Sequence, residues 1–357
     1  MTFDRNVILL DDVSSSNKNP KSRLYECNIG YMEVYEPEEI EKSLELVQSR
    51  LENGIHAVCC FSYNLGLVFQ GLPPKASLLN SPLIRAWFFK EYKKLSATEV
   101  DEWIESRLYV ERSQQVETDG GIVDVNFEID EKTFCENINS IHTEIREGET
   151  YQVNYTFNIT GKTYGSTIGL YKRLRQRQRC RYGALICCEG NRVLSFSPEL
   201  FLSKTGTNIK TKPMKGTMSS REYSAQDLES DKKNRAENVM IVDLLRNDLS
   251  RISKVGSVKT PQLFEVETVG DILQMTSSVT SEISPYITMT DLLRATFPCG
   301  SITGAPKKST MGIISELERS GRGIYCGSLG WFDAVTPGNK GLADFTLNVA
   351  IRTLEID

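Results

Sequence analysis

Histidine is nearly absent, with two residues in 357, and the nine cysteines include no C-x-x-C pair. The missing spacing leaves no zinc-ligand pattern and no disulfide framework. The adjacent couples Cys59-Cys60 and Cys187-Cys188 sit in the apolar runs HAVCCFSY and YGALICCEG, where thiols serve as small core residues in a reducing cytosol. No apolar stretch approaches the roughly 18 residues of a membrane span, and the opening MTFDRNVILLDD lacks the basic segment and long apolar run of a secretory leader. The expected location is therefore cytoplasmic, with no membrane partner. Positive charge is not in excess either. With 42 Lys and Arg against 47 Asp and Glu, the net charge is -5, which argues against a nucleic-acid surface. The one basic run, KRLRQRQRCR, has Ile168, Tyr171 and Leu174 at helical spacing in and before it and reads as a solvated helix face.

What is present is a chain that is 39% hydrophobic, enough for a large core in one domain or two interleaved parts. Residues 1–116 mix strand-like pieces, HAVCCFSY and LIRAWFF, with a helix expected over Pro37 to Leu51. ETDGG then punctuates, and residues 117–357 form the second part. There Phe134, Ile138, Ile141 and Ile145 mark a helix that Gly148 ends. TYQVNYTFNIT alternates apolar and uncharged polar residues and is expected to be a strand; its polar face suits a wetted cleft or a solvent-facing sheet equally. VLSFSPELFLSKTG and TNIKTKPMKGT read as two strands around a turn at Gly206. A long helix is expected from Ser224 to Ile252. At ~100° per residue it brings Glu237 and Asp248 to nearly one face, and Asp243 pairs with Arg246 as an exposed i,i+3 couple.

Two stretches suggest a site. In TKPMKGT, Lys215 stands between Met214 and Gly216 directly after Pro213, a setting that a solvated turn lysine does not require. In FPCGSITGAPKKSTMGIISELE, glycines at 300 and 304 precede Pro306 and a helix through Met311, Ile314 and Leu317. Such a helix start offers free N–H groups to an anion. A P-loop is excluded by spacing, because Pro306 and Lys307 stand where glycine should precede Lys-Ser. GRGIYCGSLGWFD adds Tyr325, and ADFTLNVAIRTL is expected to be an alternating strand carrying Arg352. The residues by themselves describe a large α+β protein whose polar cleft suits a small ligand bearing a carboxylate.

Taken in order, GETYQVNYT, SPELF, KPMKGT, AENVMIVDLLRNDLSRI, FPCGSITGAPK, RGIYCGSLGW and NVAIRT resemble the chorismate-utilising enzymes, and among their branches aminodeoxychorismate synthase component I, the large subunit of para-aminobenzoate synthase. The resemblance runs from about Phe127 to Leu354. It implies an α+β fold of two facing antiparallel β-sheets flanked by helices, with the active site in the cleft and residues 1–116 as the variable part of the same sandwich. The implied reaction is amination of chorismate with glutamine-derived ammonia to 4-amino-4-deoxychorismate, for para-aminobenzoate and folate biosynthesis.

The resemblance also assigns roles. Lys215 matches a nucleophile that attacks C2 of chorismate as the C4 hydroxyl leaves; Glu199 matches the general acid. Gln152 stands where water-adding relatives carry a lysine base. Magnesium is implied, with Glu237 as a ligand, while Tyr325 and Arg352 would hold the enolpyruvyl carboxylate and Gly300, Ser301, Thr303 and Gly304 would line the site. Gln274 replaces the histidine of anthranilate synthases, the alternative activity, and a non-catalytic chorismate-binding paralogue is a further alternative. The family pattern continues beyond AIRT into an E-x-x-E segment that completes the magnesium site. The chain stops at Asp357, so truncation of a longer protein is expected. No glutaminase motif occurs, which implies ammonia from a separate glutamine amidotransferase subunit.

Overall fold

A computed structural model describes residues 6–73, 81–269, 271–336 and 341–356. A six-stranded sheet runs in the order Thr353–Ile356, Asn191–Ser197, Tyr182–Cys188, Val7–Asp11, Ser22–Glu26 and Lys93–Leu95. The ten-stranded sheet runs Met214–Ser219, Ile272–Glu282, Asn208–Lys212, Leu200–Thr205, Phe345–Asn348, Ser328–Phe332, His56–Phe61, Ile84–Phe89 and Gly30–Val34, with Lys259–Val269 also paired to Ile272–Glu282. The pairings are antiparallel. Strands from either side of residue 116 enter both sheets, so that boundary does not divide the sandwich.

The uninterrupted apolar runs follow from burial on both faces, since successive strand residues point to opposite sides. Val58 and Cys60 face the six-stranded sheet, packing with Ile8, Leu10, Ala184 and Ile186. Their neighbours Ala57, Cys59 and Phe61 face outward onto a core supplied by helices. Burying each large apolar side chain contributes about 1.5–3 kcal/mol. Helix Ile40–Glu52 places Ile40, Leu44, Val47 and Leu51 in that outer core after a single 3-10 turn at Pro37–Glu39. On the far side of the six-stranded sheet, helices Ala97–Ser113 and Thr167–Arg177 contribute Val100, Ile104, Leu108, Leu170 and Tyr171. The first part of the basic run, Lys172 to Arg177, therefore lies on a half-solvated helix, although Arg175 turns inward onto Asp11 and residues 178–181 lie beyond the helix.

Five sequence expectations are corrected, the first being TNIKTKPMKGT, which is two strands, Asn208–Lys212 and Met214–Ser219, divided at Pro213. TYQVNYTFNIT is not one strand: Gln152–Val153 pairs with Gly304–Ala305, and Ile159–Tyr164 pairs with Gly121–Phe127. Between them the Thr156 and Asn158 amides donate to the carboxylates of Glu318 and Glu128 instead of to a neighbouring strand. The expected Ser224–Ile252 helix is two, Ala225–Ser230 and Lys232–Ser250, because Asp231 adopts extended geometry and caps the second by accepting from the Asn234 amide. VLSFSPELFLSKTG divides at Pro198-Glu199, where the chain passes from the six-stranded to the ten-stranded sheet. ADFTLNVAIRTL passes back across Val349 to Arg352, so Arg352 lies outside a strand. Helix Glu131–Glu147 does end at Gly148, in the left-handed conformation that favours glycine. Among the described residues no helix is long and apolar enough to cross a membrane.

Candidate active site

The two passages between sheets are fastened to each other, and Glu199 lies at the fastening. The Val349 amide donates to the Glu199 carbonyl at 3.1 Å, and the Ser197 hydroxyl donates to the Val349 carbonyl at 2.6 Å. The Ser197 oxygen in turn accepts from the Glu199 amide at 3.3 Å. Sequence reading missed Ser197, although its place two residues before Glu199 in SFSPELF is the pattern of a serine turn. Glu199 is only 3% exposed. Burial pushes its carboxyl above the ordinary range, while the Ser301 hydroxyl, the Lys215 ammonium and the Met214 N–H pull the other way. Burial thus shifts the balance at Glu199 toward the neutral acid.

Lys215 reaches this place because its strand is irregular. Met214 pairs with Thr276 and Thr217 with Gln274, and the register shifts between them. The irregularity leaves Lys215-Gly216 out of the ladder, and a bulge of this kind redirects a side chain. Gly216 lies against Asn234 of the Lys232–Ser250 helix. Pro213 interrupts the strand before it, yet the chain stays on the same neighbour through a bond from the Ser277 amide to the Pro213 carbonyl, 3.2 Å. Lys215 is half-buried, and its ammonium makes no ion pair or hydrogen bond among the described residues. Lys212 is different: Glu265 at 3.3 Å and Glu267 hold it, so its charge is already balanced.

The loop between helices Met289–Thr296 and Lys307–Leu317 supplies the third side. Ser301 and Thr303 are buried, and the Thr303 hydroxyl donates within the loop to Cys299 and Gly300 carbonyls. Gly304 has φ +147, and a Cβ there would meet the Gln152 carbonyl at 1.9 Å. Only glycine allows the loop to pair so closely with Gln152–Val153. The Thr150 hydroxyl locks this junction to Thr310 at 2.7 Å. The side-chain oxygen of Gln152 is buried and has no hydrogen-bond partner among the described residues. A buried, unpaired acceptor is costly, and it marks a place where a ligand donor would be satisfied.

The remaining candidates occupy two flanks. The amide of Cys326 donates to the Ala350 carbonyl at 2.8 Å, which sets Tyr325 beside the second passage. Tyr325 is part-exposed, its hydroxyl shifted up by burial. Cys326 and Arg352 both have positive φ, 61 and 51, an uncommon conformation for side-chain-bearing residues that often accompanies functional sites. The Arg352 guanidinium is exposed and donates to Gln178 at 2.9 Å. Glu237 is half-buried on the Lys232–Ser250 helix and makes no ion pair among the described residues. Mg2+ takes one or two carboxylates together with substrate oxygens, and Glu237 fits as one such ligand. Among the described residues no three His, Cys, Asp or Glu gather as a metal cluster. Asp248, on nearly the same helical face, is instead buried against Lys307 at 2.6 Å. Gln274 is buried opposite Thr217, and the Asp243–Arg246 pair forms at 3.3 Å on the surface. A separate cavity of about 300 Å³, lined by Asp11, Lys21, Arg23, Lys94, Arg181 and Trp331 among others, contains none of these residues.

The sheet sandwich, with a carboxyl, an amine and a glycine loop gathered at its passages, defines a class. The sequence profile of the chorismate binding enzyme family matches residues 14–357, and the chain belongs to that family. Among individual relatives, it is 32% identical to aminodeoxychorismate synthase component 1 of Escherichia coli (strain K12) over 318 residues, 84% of this chain and 68% of that protein. It is 39% identical to the protein of the same name from Klebsiella aerogenes over 204 residues, 56% of this chain and 45% of that one. An anthranilate synthase component 1 of Haloarcula marismortui is 36% identical over 234 residues, 64% of this chain and 45% of that protein. The chain thus spans about half to two thirds of the length of these relatives. Anthranilate synthase component I from Streptococcus pneumoniae has the same fold, with a TM-score of 0.75 at 22% identity over 99% of this chain and 85% of that one. The isochorismate synthase DhbC from Bacillus anthracis follows at 0.71 and 16%, over 99% and 87%.

Proposed function

We propose that the protein aminates chorismate at C4 with ammonia to give 4-amino-4-deoxychorismate through a covalent adduct on Lys215. The observation that carries this reading is the juxtaposition of an unpaired, half-buried amine on a strand irregularity with a buried carboxyl shifted toward its acid form. The Lys215 amine attacks C2 of the diene as both ring double bonds shift and the C4 hydroxyl departs, taking the Glu199 proton to leave as water. Ammonia then bonds to C4, the C2–N bond breaks, and Lys215 returns as the free amine. The proton shed by the incoming nitrogen restores Glu199. Gln152 has no basic group to activate water, and its unpaired oxygen suits an N–H donor. Ser301, Thr303 and the Gly300–Gly304 backbone orient the ring, while Tyr325 and Arg352 receive the enolpyruvyl carboxylate.

Mg2+ is proposed as the cofactor, held in part by Glu237; when bound it neutralises the charge of the ring carboxylate. Ammonia is proposed to come from a separate glutamine amidotransferase subunit, consistent with the "component 1" names of the relatives. Anthranilate synthesis is the second reading, because relatives of that name match comparably. The test is incubation of the protein with chorismate, magnesium and ammonium salt at mildly alkaline pH, with products identified by chromatography and mass spectrometry. Aminodeoxychorismate from the parent and none from Lys215→Ala is the expected result. Anthranilate from the parent selects the second reading, and a Lys215→Ala variant that still makes aminodeoxychorismate removes the covalent step.

A further inference from the structure

The loop that carries Ser301 has a closed neck. It leaves helix Met289–Thr296 and enters helix Lys307–Leu317, and the Lys307 ammonium spans the opening, donating to the Thr296 carbonyl at 3.0 Å. The same ammonium donates to Asp248 at 2.6 Å. Both side chains are less than a tenth exposed. Asp248 belongs to the Lys232–Ser250 helix, which also meets the loop at Gly300, where Leu244 packs, and meets the Lys215 irregularity through Asn234 at Gly216. One rigid helix therefore touches both the nucleophile's strand and the loop facing the acid. We propose that Lys307 and Asp248 are positioning residues: a buried clasp that fixes the Phe297–Pro306 loop on this helix and so sets Ser301 against Glu199. The proposal deepens the reading above and rests on it only in taking Glu199 and Ser301 as site groups.

A buried ion pair is not by itself a reason for stability, since replacing both partners with neutral groups is often tolerated whereas removing one is not. That asymmetry separates a positioning role from a structural one. Lys307→Met should lower kcat for chorismate consumption by roughly 10²-fold, the scale of an ångström of misplacement, while KM changes less than about threefold. Lys307→Arg should recover much of the loss. In the double variant Asp248→Asn/Lys307→Met the thermal midpoint should return toward that of the parent while kcat stays low, because the bond to Thr296 is still missing. Arg251→Gln is the control: Arg251 reaches the neighbouring Ala295 carbonyl at 3.4 Å without spanning the neck, and its loss should leave kcat within about threefold.

Recovery of kcat together with stability in the double variant would overturn the proposal, as would a folded Lys307→Met of parental kcat. Consumption of chorismate is measured whatever the product. If mass spectrometry shows anthranilate, the amination reading fails and the clasp is still judged by kcat. Should the parent consume no chorismate, hydrogen exchange of peptides covering residues 297–306 decides. Faster exchange in Lys307→Met than in Arg251→Gln supports the clasp, and equal exchange refutes it.

Discussion

Two carboxyl groups, the half-buried Asp333 and the buried Glu199, receive opposite treatment from the same fold. Burial raises both. At Asp333 it is outweighed: His56 lies 3.1 Å away and Arg23 donates two bonds of 2.6 and 3.0 Å, holding the carboxyl down to about 2. Arg23 is itself fixed between the rings of Trp331 and Tyr92, 3.3 and 4.3 Å from their centroids. At Glu199 no cation among the described residues is in contact; a hydroxyl, an amide and the more distant Lys215 oppose burial without overcoming it. Close guanidinium contact favours the charged carboxylate, whereas burial without such contact shifts the balance toward the neutral acid.

The contrast is broken most severely at Glu199. Glu199→Gln should lower turnover by at least about 10²-fold, the usual contribution of a general acid, measured as chorismate consumed. Its stability should move the other way. A carboxyl raised in the folded state contributes stability below its unfolded value and loses it as pH rises through the folded value. Glu199→Gln should therefore melt no lower than the parent at pH 8, and a lower melting temperature there would mean that Glu199 is a structural anion. The same exchange at Asp333 should spare turnover and cost on the order of 3 kcal/mol, because Arg23 is left buried without its partner. Here the folded carboxyl is depressed, so its contribution is present above the ordinary value of 3.8 and lost as pH falls toward about 2. Acid titration of thermal stability between these limits should be steeper in the parent than in Asp333→Asn. The smallest effect belongs to Asp243→Asn, which breaks an exposed pair and should change stability by less than about 0.5 kcal/mol.

Much of the scaffold was legible because it depends on local pattern. HAVCCF reads as a strand, and the Phe134 to Ile145 spacing with Gly148 reads as a helix with its stop. Glu199, Lys215 and Ser301 were named from the family resemblance, and the structure brings those three together. What escaped depends on partners distant in sequence. Nothing within TYQVNYTFNIT says that two of its amides will be taken by Glu318 and Glu128, and nothing in SPELF says that the chain changes sheets there. Nor does AENVMIVDLLRNDLSRI say that Asp248 belongs to Lys307. The break at Asp231 was readable, since D-K-K-N places a capping side chain ahead of the Asn234 amide, but the surrounding helical spacing masked it.

The position of Val7–Asp11 inside the six-stranded sheet bears on how the protein is made. This strand leaves the ribosome ahead of both its neighbours, shortly before Ser22–Glu26 and long before Tyr182–Cys188. At about 5–20 residues per second of synthesis, one apolar edge of the nascent hairpin waits roughly 10 to 30 s for its partner. An open, hydrophobic strand edge is a template for pairing with other chains. Production of the protein is thus expected to depend on chaperone capacity during translation, and yield should rise when elongation is accelerated between Glu26 and Cys188.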